Sequence, residues 1–477
     1  MEQGKNCFME MGEGNMKKKL LLSVMVLTLL LAGCGQPVTK GAFPGEDWQR
    51  ATTPEQLGWS SDKLAKAQEY SKRIGTAAVM IVDDGVVIDA WGDITRNYQC
   101  HSMRKSLLSA LYGIYVADGK IDTSRTLREL GIDDYTPLTE TEKQATVADL
   151  LRARSGVYIP TAGEAPAMKA MRPERGSHLP GTFWYYNNWD FNALGTIFDQ
   201  ETGEENIYQA FKTRIADPIG MQDFFIEDLQ YGYEPYSMHP YYGFRMSTRD
   251  LARFGLLLLR EGQWQDQQIV PRDWVRESTA SHSERGPDSG YGYMWWTGVK
   301  GGLLPNVEVK EHSYYASGYR GHRVIVLPYR NLVIVQRVNT DGGSVSLDDA
   351  QIGLLLWLIL DAAGETEIGE APFIESAKGV RLTADNLQET IAGSTLQRGS
   401  GSDEVVASIS KDGTVSVSLN GILMDTGEWW AEDDKLCVEF TSPDLEGGCS
   451  LVVLDGLTIK LYDLDGVLEE KFAYSKD

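Results

Sequence analysis

The stretch Ser102-Met103-Arg104-Lys105-Ser106-Leu107-Leu108-Ser109-Ala110-Leu111-Tyr112-Gly113 decides how this chain is interpreted. Its apolar periodicity predicts a helix from 102 to about 117. Ser102 and Lys105 lie three positions apart, so the hydroxyl and the amine share one face of that helix. A lysine buried under apolar packing can lose its proton near neutral pH and then act as the base for a serine nucleophile. The stretch therefore predicts a reactive serine at a helix N-terminus, where developing oxyanion charge is stabilised.

The spacing of serine and lysine alone is a weak signal. Ser60 with Lys63 and Ser408 with Lys411 have the same spacing. Ser60 is typical of a helix cap, and Ser408 lies in a region of β-rich pattern. Only Ser102 begins a strongly apolar helix that would bury its lysine.

Further motifs follow this helix in a fixed order. They are Asp118-Gly119-Lys120-Ile121, Asp149-Leu150-Leu151, Ser155-Gly156, Pro180-Gly181, Leu194-Gly195, Pro218-Ile219-Gly220-Met221, Ser247-Thr248-Arg249-Asp250-Leu251-Ala252 and Tyr291-Gly292-Tyr293-Met294-Trp295-Trp296. Over about 55 to 362, the chain resembles the serine β-lactamase-like hydrolases, a superfamily of class C β-lactamases, DD-peptidases, carboxylesterases and 6-aminohexanoate-dimer hydrolases. The resemblance implies an α/β (α+β) fold of the β-lactamase/transpeptidase type, with an antiparallel sheet flanked by helices and an added helical region.

The second motif of this superfamily is Tyr-x-Asn, and the chain offers two registers for it. They are Tyr185-Tyr186-Asn187 and Tyr186-Asn187-Asn188. The family spacing from Gly181 and back from Gly195 favours Tyr186 and Asn188. The resemblance implies that Tyr186 shares proton transfer with Lys105 and that Asn188 holds the substrate carbonyl or the lysine. A simple hydrogen-bonded loop is the alternative interpretation.

The third family motif is where the sequence departs from its relatives. They carry Lys or His, then a small residue, then Gly, whereas this chain has Tyr315-Ala316-Ser317-Gly318-Tyr319-Arg320-Gly321-His322. The backbone from Ser317 through Gly318 to Tyr319 can supply the second oxyanion donor. Arg320 or His322 is a candidate to replace the Lys or His that relatives carry in this motif. The alternative is that either residue makes only a surface contact. We therefore expect Asn188, Ser317, Gly318, Tyr319 and His322 to bind substrate, with ester or amide hydrolysis favoured over β-lactam hydrolysis.

The other residue patterns in the sequence say little about function. Trp184, Trp189, Trp295 and Trp296 flank the motifs and belong either to an apolar acyl pocket or to the core. The six histidines form no His-Glu-x-x-His motif, and the chain has no Gly-x-Ser-x-Gly elbow or Walker loop. We expect no metal and no cofactor.

The first 34 residues have the pattern of an export signal. Lys17-Lys18-Lys19 precede an apolar run at 20–32 of about 13 residues, too short to span a membrane. The ending Leu31-Ala32-Gly33-Cys34 resembles the lipobox of bacterial lipoproteins, which implies lipidation of Cys34; an ordinary signal peptide or a buried helix is the alternative. Gly35 after the cysteine favours the outer membrane, facing the periplasm. The start codon is Met1 or Met16, and a polar linker follows at 35–54.

Length and composition set the remaining organisation. The 477 residues fit two or three domains, and 45 basic against 68 acidic residues give a net charge of −23, which disfavours nucleic acid as a partner. A hydrolase-like domain is expected over 55–365. From 380 to 477, short β runs alternate with turns such as Asp412-Gly413 and Asn420-Gly421, which predicts a separate all-β sandwich or barrel. Export would place Cys437 and Cys449 in an oxidising compartment, so we expect a disulfide between them.

The sequence thus predicts an exported, membrane-anchored serine hydrolase that forms an acyl-enzyme with a small ester or a linear amide. The alternative substrates are β-lactams or peptidoglycan stem peptides. A second alternative is a non-catalytic envelope-binding protein that uses the same cleft.

Overall fold

The computed structural model describes residues 41–476, apart from 204–205, 287–288, 344, 374–376, 385, 400–403, 443–444, 446 and 465. The predicted leader, the lipidation site Cys34 and the first part of the linker lie outside the described residues. Two parts follow, which we call the main domain (up to about 365) and the barrel (from about 380). In these described ranges, no helix is both long and apolar enough to cross a membrane.

The helices are α1 (Ser61–Arg73), α2 (Met103–Ala117), α3 (Leu127–Leu130), α4 (Val147–Leu151), α5 (Pro166–Met171), α6 (Asn188–Thr202), α7 (Ile207–Phe211), α8 (Thr248–Leu259), α9 (Arg272–Ser278), α10 (Asp349–Ala362) and α11 (Leu387–Ile391). The strands of the main domain are β1 (Ala78–Asp83), β2 (Val86–Gly92), β3 (Tyr98–Gln99), β4 (Gln230–Gly232), β5 (Tyr241–Gly243), β6 (Arg245–Met246), β7 (Gln263–Trp264), β8 (Gln267–Gln268), β9 (Ser283–Glu284), β10 (Ser289–Tyr291), β11 (Trp296–Gly298), β12 (Gly302–Leu304), β13 (Val307–Glu308), β14 (Tyr314–Gly318), β15 (His322–Leu327) and β16 (Leu332–Arg337). The strands of the barrel are β17 (Val380–Arg381), β18 (Ser394–Arg398), β19 (Val405–Ile409), β20 (Thr414–Leu419), β21 (Ile422–Glu432), β22 (Lys435–Phe440), β23 (Gly448–Asp455), β24 (Thr458–Tyr462) and β25 (Leu468–Lys476).

An eight-stranded antiparallel sheet in the order β2-β1-β16-β15-β14-β11-β10-β9 forms the centre of the main domain. Strands β1, β15 and β16 are buried along their whole length. Alternate residues of these strands enter two core clusters, one shared with α2 and α8 and the other with α1 and α10. Because helices cover both faces, these strands carry nearly continuous apolar runs instead of an alternating pattern.

Helix α2 lies within the larger of these clusters. Every residue from Met103 to Tyr115 is buried, and α2 packs against α6, α7 and β14. A helix that is apolar around its whole circumference needs such a central position. Any ionisable side chain on its first turn is therefore withdrawn from water.

Two segments that carry motifs have a distinct local structure. The run 291–297 is a hairpin of β10 and β11, because Met294 adopts a left-handed φ of 62° and Gly292 N donates to Trp295 O at 2.8 Å. The loop region 162–188 contains the short helix α5, which begins with a proline at its first position.

The barrel is a closed sheet of eight strands. Strand β23 pairs with both β22 and β24, which joins the ends of the order β23-β22-β21-β20-β19-β18-β25-β24, and β17 adds to β23 outside the ring. Leu396, Ile409, Trp429 and Ile459 are among the apolar residues of its interior. The prediction of an α+β domain followed by an all-β domain is confirmed.

The barrel packs against the main domain beside α10. Val467 belongs to the same core cluster as α10. Asn306 donates to the carbonyl of Glu469 at 3.4 Å, and Arg73 pairs with Asp463 at 3.3 Å. These contacts fix the barrel on the main domain.

Cys437 and Cys449 face each other on β22 and β23 and form a disulfide, whereas Cys100 is a buried free thiol. Replacing both bridged cysteines with serine should lower the free energy of unfolding of the barrel by roughly 3 kcal/mol, because the unfolded chain regains the freedom of the closed loop. Calorimetry of the variant, beside wild type with and without a reductant, measures this change. Equal stability in all of these samples would contradict it.

Candidate active site

Ser102 and Lys105 meet at the beginning of α2. Ser102 is the residue before the first helical turn, and the backbone N–H of Lys105 donates to its carbonyl at 3.1 Å. The Lys105 side chain is 1% exposed, and its Nζ lies 3.0 Å from Ser102 Oγ. The helix thus places a buried amine within hydrogen-bond distance of the hydroxyl.

Tyr186 and Asn188 complete the arrangement from the loop before α6. Lys105 Nζ lies 2.6 Å from the Tyr186 hydroxyl and donates to Asn188 Oδ1 at 2.7 Å. The residues of the other register lie elsewhere: the Tyr185 hydroxyl donates to the Met168 carbonyl, and Asn187 caps α6. Of the two registers, the structure brings Tyr186 and Asn188 to Ser102.

A buried carboxyl, which the sequence analysis did not single out, positions this loop. Asp190 accepts hydrogen bonds from Ser155 Oγ at 2.5 Å and from Asn187 Nδ2 at 2.7 Å, and Asn187 also donates to the Val157 carbonyl. Burial raises the pKa of Asp190 well above its usual range. The spacing of Asn187 and Asp190 at the start of a helix was the available signal, since it is typical of capping.

The pKa values of Lys105 and Tyr186, the two ionisable groups beside Ser102, are shifted in opposite directions. Burial lowers the pKa of Lys105 well below its ordinary range, and the charge of the neighbouring Arg104 lowers it further. Burial raises the pKa of Tyr186, against the opposing effects of its hydrogen bond with Ser102 and of nearby arginines. The two shifts favour the uncharged form of the Lys105 amine and the protonated form of the Tyr186 phenol.

The end of β14 lies against the start of α2. A Cβ added to Gly318 would stand 2.7 Å from the Cys100 carbonyl oxygen, so only glycine fits there. Ser317, Gly318 and Tyr319 line the cleft together with Ser102. The backbone N–H groups at this end of β14 and at the N-terminus of α2 are therefore the candidates for an oxyanion site beside Ser102.

The prediction that His322 binds substrate is wrong. His322 is fully buried on β15 and accepts a hydrogen bond from Arg337 Nε at 3.0 Å. Burial and the charge of Arg337 lower the pKa of His322 far below its usual range, so it stays neutral. Arg320 does line the cleft, where its Nη1 donates to the Gly343 carbonyl at 2.6 Å.

The cleft has two lobes that meet at Ser102. The apolar lobe, about 1000 Å³, is lined by residues that include Phe183, Trp184, Tyr186 and Trp296. The polar lobe, about 540 Å³, is lined by Arg104, Asn188, Glu234, Tyr241 and other polar side chains. Trp184 and Trp296 therefore belong to the pocket, whereas Trp189 and Trp295 are buried core.

Residues 62–356 match the family model named Beta-lactamase, and this match covers more than half of the chain. The chain belongs to the β-lactamase family. Its fold is that of this family of hydrolases, and the motif order described above is consistent with it.

Similar proteins extend the comparison. An uncharacterized protein from Alkalihalophilus pseudofirmus is 27% identical over 313 residues, which are 58% of this chain and 88% of that protein. A putative 6-aminohexanoate-dimer hydrolase from Bacillus anthracis has a similar fold, with a TM-score of 0.50 and 18% identity over 68% of this chain and 87% of that one. The octameric penicillin-binding protein homologue from Pyrococcus abyssi matches with a TM-score of 0.50 and 16% identity over 87% of this chain and 99% of that one, so the likeness extends into the barrel.

The part of the chain that the structure describes contains no cluster of three or more His, Cys, Asp or Glu side chains that could hold a metal ion.

Lys105→Met should slow the labelling of Ser102 by a fluorophosphonate probe at least about 100-fold, because the base is lost. In wild type, the labelling rate should fall as the pH is lowered through the pKa of Lys105, since protonation removes the lone pair. This inflection should lie well below the ordinary lysine range. Lys66→Met, which changes an exposed lysine on α1, is the control. A wild-type rate in Lys105→Met would contradict this role.

Proposed function

We propose that the protein is a serine hydrolase that cleaves an ester or a linear amide through an acyl-enzyme. The contact of Lys105 Nζ with Ser102, Tyr186 and Asn188 carries this proposal. Three polar side chains converge on one buried amine whose pKa is lowered. A structural role alone gives no reason to bury a lysine without an acidic partner.

The first half of the reaction follows from these contacts. Ser102 Oγ attacks the substrate carbonyl carbon, and its proton passes to Lys105 Nζ. The carbonyl oxygen becomes an oxyanion, which the backbone N–H groups at the start of α2 and the end of β14 stabilise. When the intermediate collapses, the bond to the leaving oxygen or nitrogen breaks. The leaving group takes a proton from Tyr186, which Lys105 replenishes.

The second half uses the same groups with water. Lys105, again neutral, takes a proton from a water molecule that attacks the acyl carbon. The bond to Ser102 Oγ breaks, and Ser102 recovers its proton. Asn188 holds Lys105 in place throughout, because its Oδ1 accepts from Nζ while its Nδ2 donates to the Gly163 carbonyl at 2.7 Å.

The substrate ranking depends on the third motif. A β-lactam or a stem peptide carries a carboxylate that needs a cation beside β14. Of the two residues that the sequence offered as a substitute cation, His322 is buried and only Arg320 lines the lobe, where it already donates to Gly343. Esters and linear amides need no such cation. β-Lactams and stem peptides stay the second candidate because Arg320 lines the lobe.

A panel of p-nitrophenyl esters, a linear amide oligomer and nitrocefin tests the proposal. We expect turnover of the esters or the amide, and a loss of about 10⁴-fold or more in Ser102→Ala. Ser109→Ala is the matched control, since Ser109 is a buried serine on the same helix whose hydroxyl has no hydrogen-bond partner in the described residues. Activity retained in Ser102→Ala would refute the mechanism, and faster turnover of nitrocefin would reverse the ranking.

We also propose that the protein is exported and held at the cell envelope by a lipid on Cys34, on the outer membrane facing the periplasm. The lipobox-like ending Leu31-Ala32-Gly33-Cys34 behind a basic and apolar segment supports this. In a bacterial host, Cys34→Ser should abolish the incorporation of labelled palmitate and release the protein from the membrane fraction. Cys7→Ser is the control, and lipid incorporation that survives Cys34→Ser would exclude this anchor.

A further inference from the structure

A residue of the barrel forms part of the catalytic cleft. Asn420, in the turn between β20 and β21, lines the apolar lobe whose lining also includes Ser102. From the main domain, Arg285, Ser346 and Leu347 line the same lobe. Asn420 is far from Ser102 along the chain. The lobe is therefore completed by a second domain.

The turn that carries Asn420 is held in one shape. Asn420 has a left-handed φ of 54°, and Gly421 follows with a φ of 74°, as in the tight turns that asparagine and glycine favour. The Asn420 backbone N–H donates to the Glu404 carbonyl at 2.8 Å, and Asn420 Oδ1 accepts from the Glu404 N–H at 3.0 Å. The wall that Asn420 provides is thus fixed to the neighbouring strand.

The position of the barrel is fixed as well. Val467 shares the core cluster of α10, and the pairs Arg73–Asp463 and Asn306–Glu469 lie in the same contact region. A wall on a docked domain has a defined distance to the nucleophile, whereas a wall on a free loop does not.

The side chains of the apolar lobe indicate which kind of substrate group would lie against Asn420. Phe183, Trp184, Met171 and Trp296 offer aromatic and apolar surface, and the Arg285 guanidinium stacks over the Trp296 ring at 4.0 Å. Such a lobe fits an alkyl or aryl group, for which burial of apolar area is the main source of affinity. The chain continues after the turn as Ile422-Leu423-Met424, and all three side chains are exposed.

We propose that the Asn420 turn of the barrel is a wall of the apolar lobe and sets the length of the alkyl or aryl group that the enzyme accepts. The proposal rests on the hydrolase function for its catalytic readout. It makes the barrel a specificity element of the cleft, with no part in bond breaking.

The experiment measures kcat/KM for p-nitrophenyl esters from acetate to dodecanoate. Asn420→Trp should reduce the value for dodecanoate about tenfold or more and leave acetate within about twofold, because the larger side chain takes up space in the lobe that a long chain needs. Asn420→Gly, which suits the left-handed φ, should raise dodecanoate relative to acetate. The matched control is Asp433→Trp, at the left-handed position of the turn at the other end of β21, with a φ of 52°.

Binding of dodecanoate, measured by titration calorimetry in a Ser102→Ala background, makes the test independent of turnover. Asn420→Trp should weaken this binding about tenfold, while Asp433→Trp should not change it. If no ester is turned over but dodecanoate binding responds in this way, the proposed role of the Asn420 turn is supported and the hydrolase proposal fails. The proposed role of the Asn420 turn would be refuted by any of three results. These are no binding of dodecanoate to the Ser102→Ala protein, equal binding in all variants, or an effect of Asp433→Trp as large as that of Asn420→Trp.

Discussion

The withdrawal of Lys105 from water is the constraint on which the rest of the site depends. A lysine in solution is protonated at neutral pH and cannot accept the proton of a serine. The environment of Lys105 removes that obstacle by burial, and the fixed charge of Arg104 adds to it. Phe191 and Tyr186 place their rings 4.6 and 4.2 Å from Nζ, so the amine meets aromatic surface and three oxygen partners. The chemistry follows from where α2 lies in the fold.

That position requires a particular architecture. Helix α2 can be buried around its whole circumference only because the sheet covers one side and the helical region around α6 covers the other. The same arrangement brings the loop before α6 and the end of β14 to the first turn of α2. Gly318 allows the end of β14 to lie against the segment before α2, since a side chain there would overlap the Cys100 carbonyl. The three motifs are distant along the chain and become neighbours through packing.

The sequence could predict the residues that are close along the chain or that match a family motif, but not those that only packing brings together. Ser102 and Lys105 could be predicted because they share one helical turn, and Tyr186 with Asn188 because family spacing selected a register. His322 was predicted wrongly, since it lies on β15 opposite Gly318, with its side chain in the core. The adjacent residues Trp295 and Trp296 divide between core and pocket because Trp295 lies in the turn before β11 and is buried, whereas Trp296 begins β11 and lines the cleft. Asn420 could not be predicted, because only the docking of the barrel brings it to the cleft.

The burial that activates Lys105 also has a cost in stability. Since folding lowers the pKa of Lys105, the unfolded chain binds a proton there that the folded chain does not bind over the range between the two pKa values. In that range, the free energy of unfolding rises with pH, so at neutral pH the buried amine makes the folded state less stable than a neutral side chain would. The well-packed faces of the sheet must offset this penalty. The lowered pKa of Lys105 is thus maintained by the packing of the whole main domain, and the contacts with Ser102, Tyr186 and Asn188 fix the position of its Nζ atom.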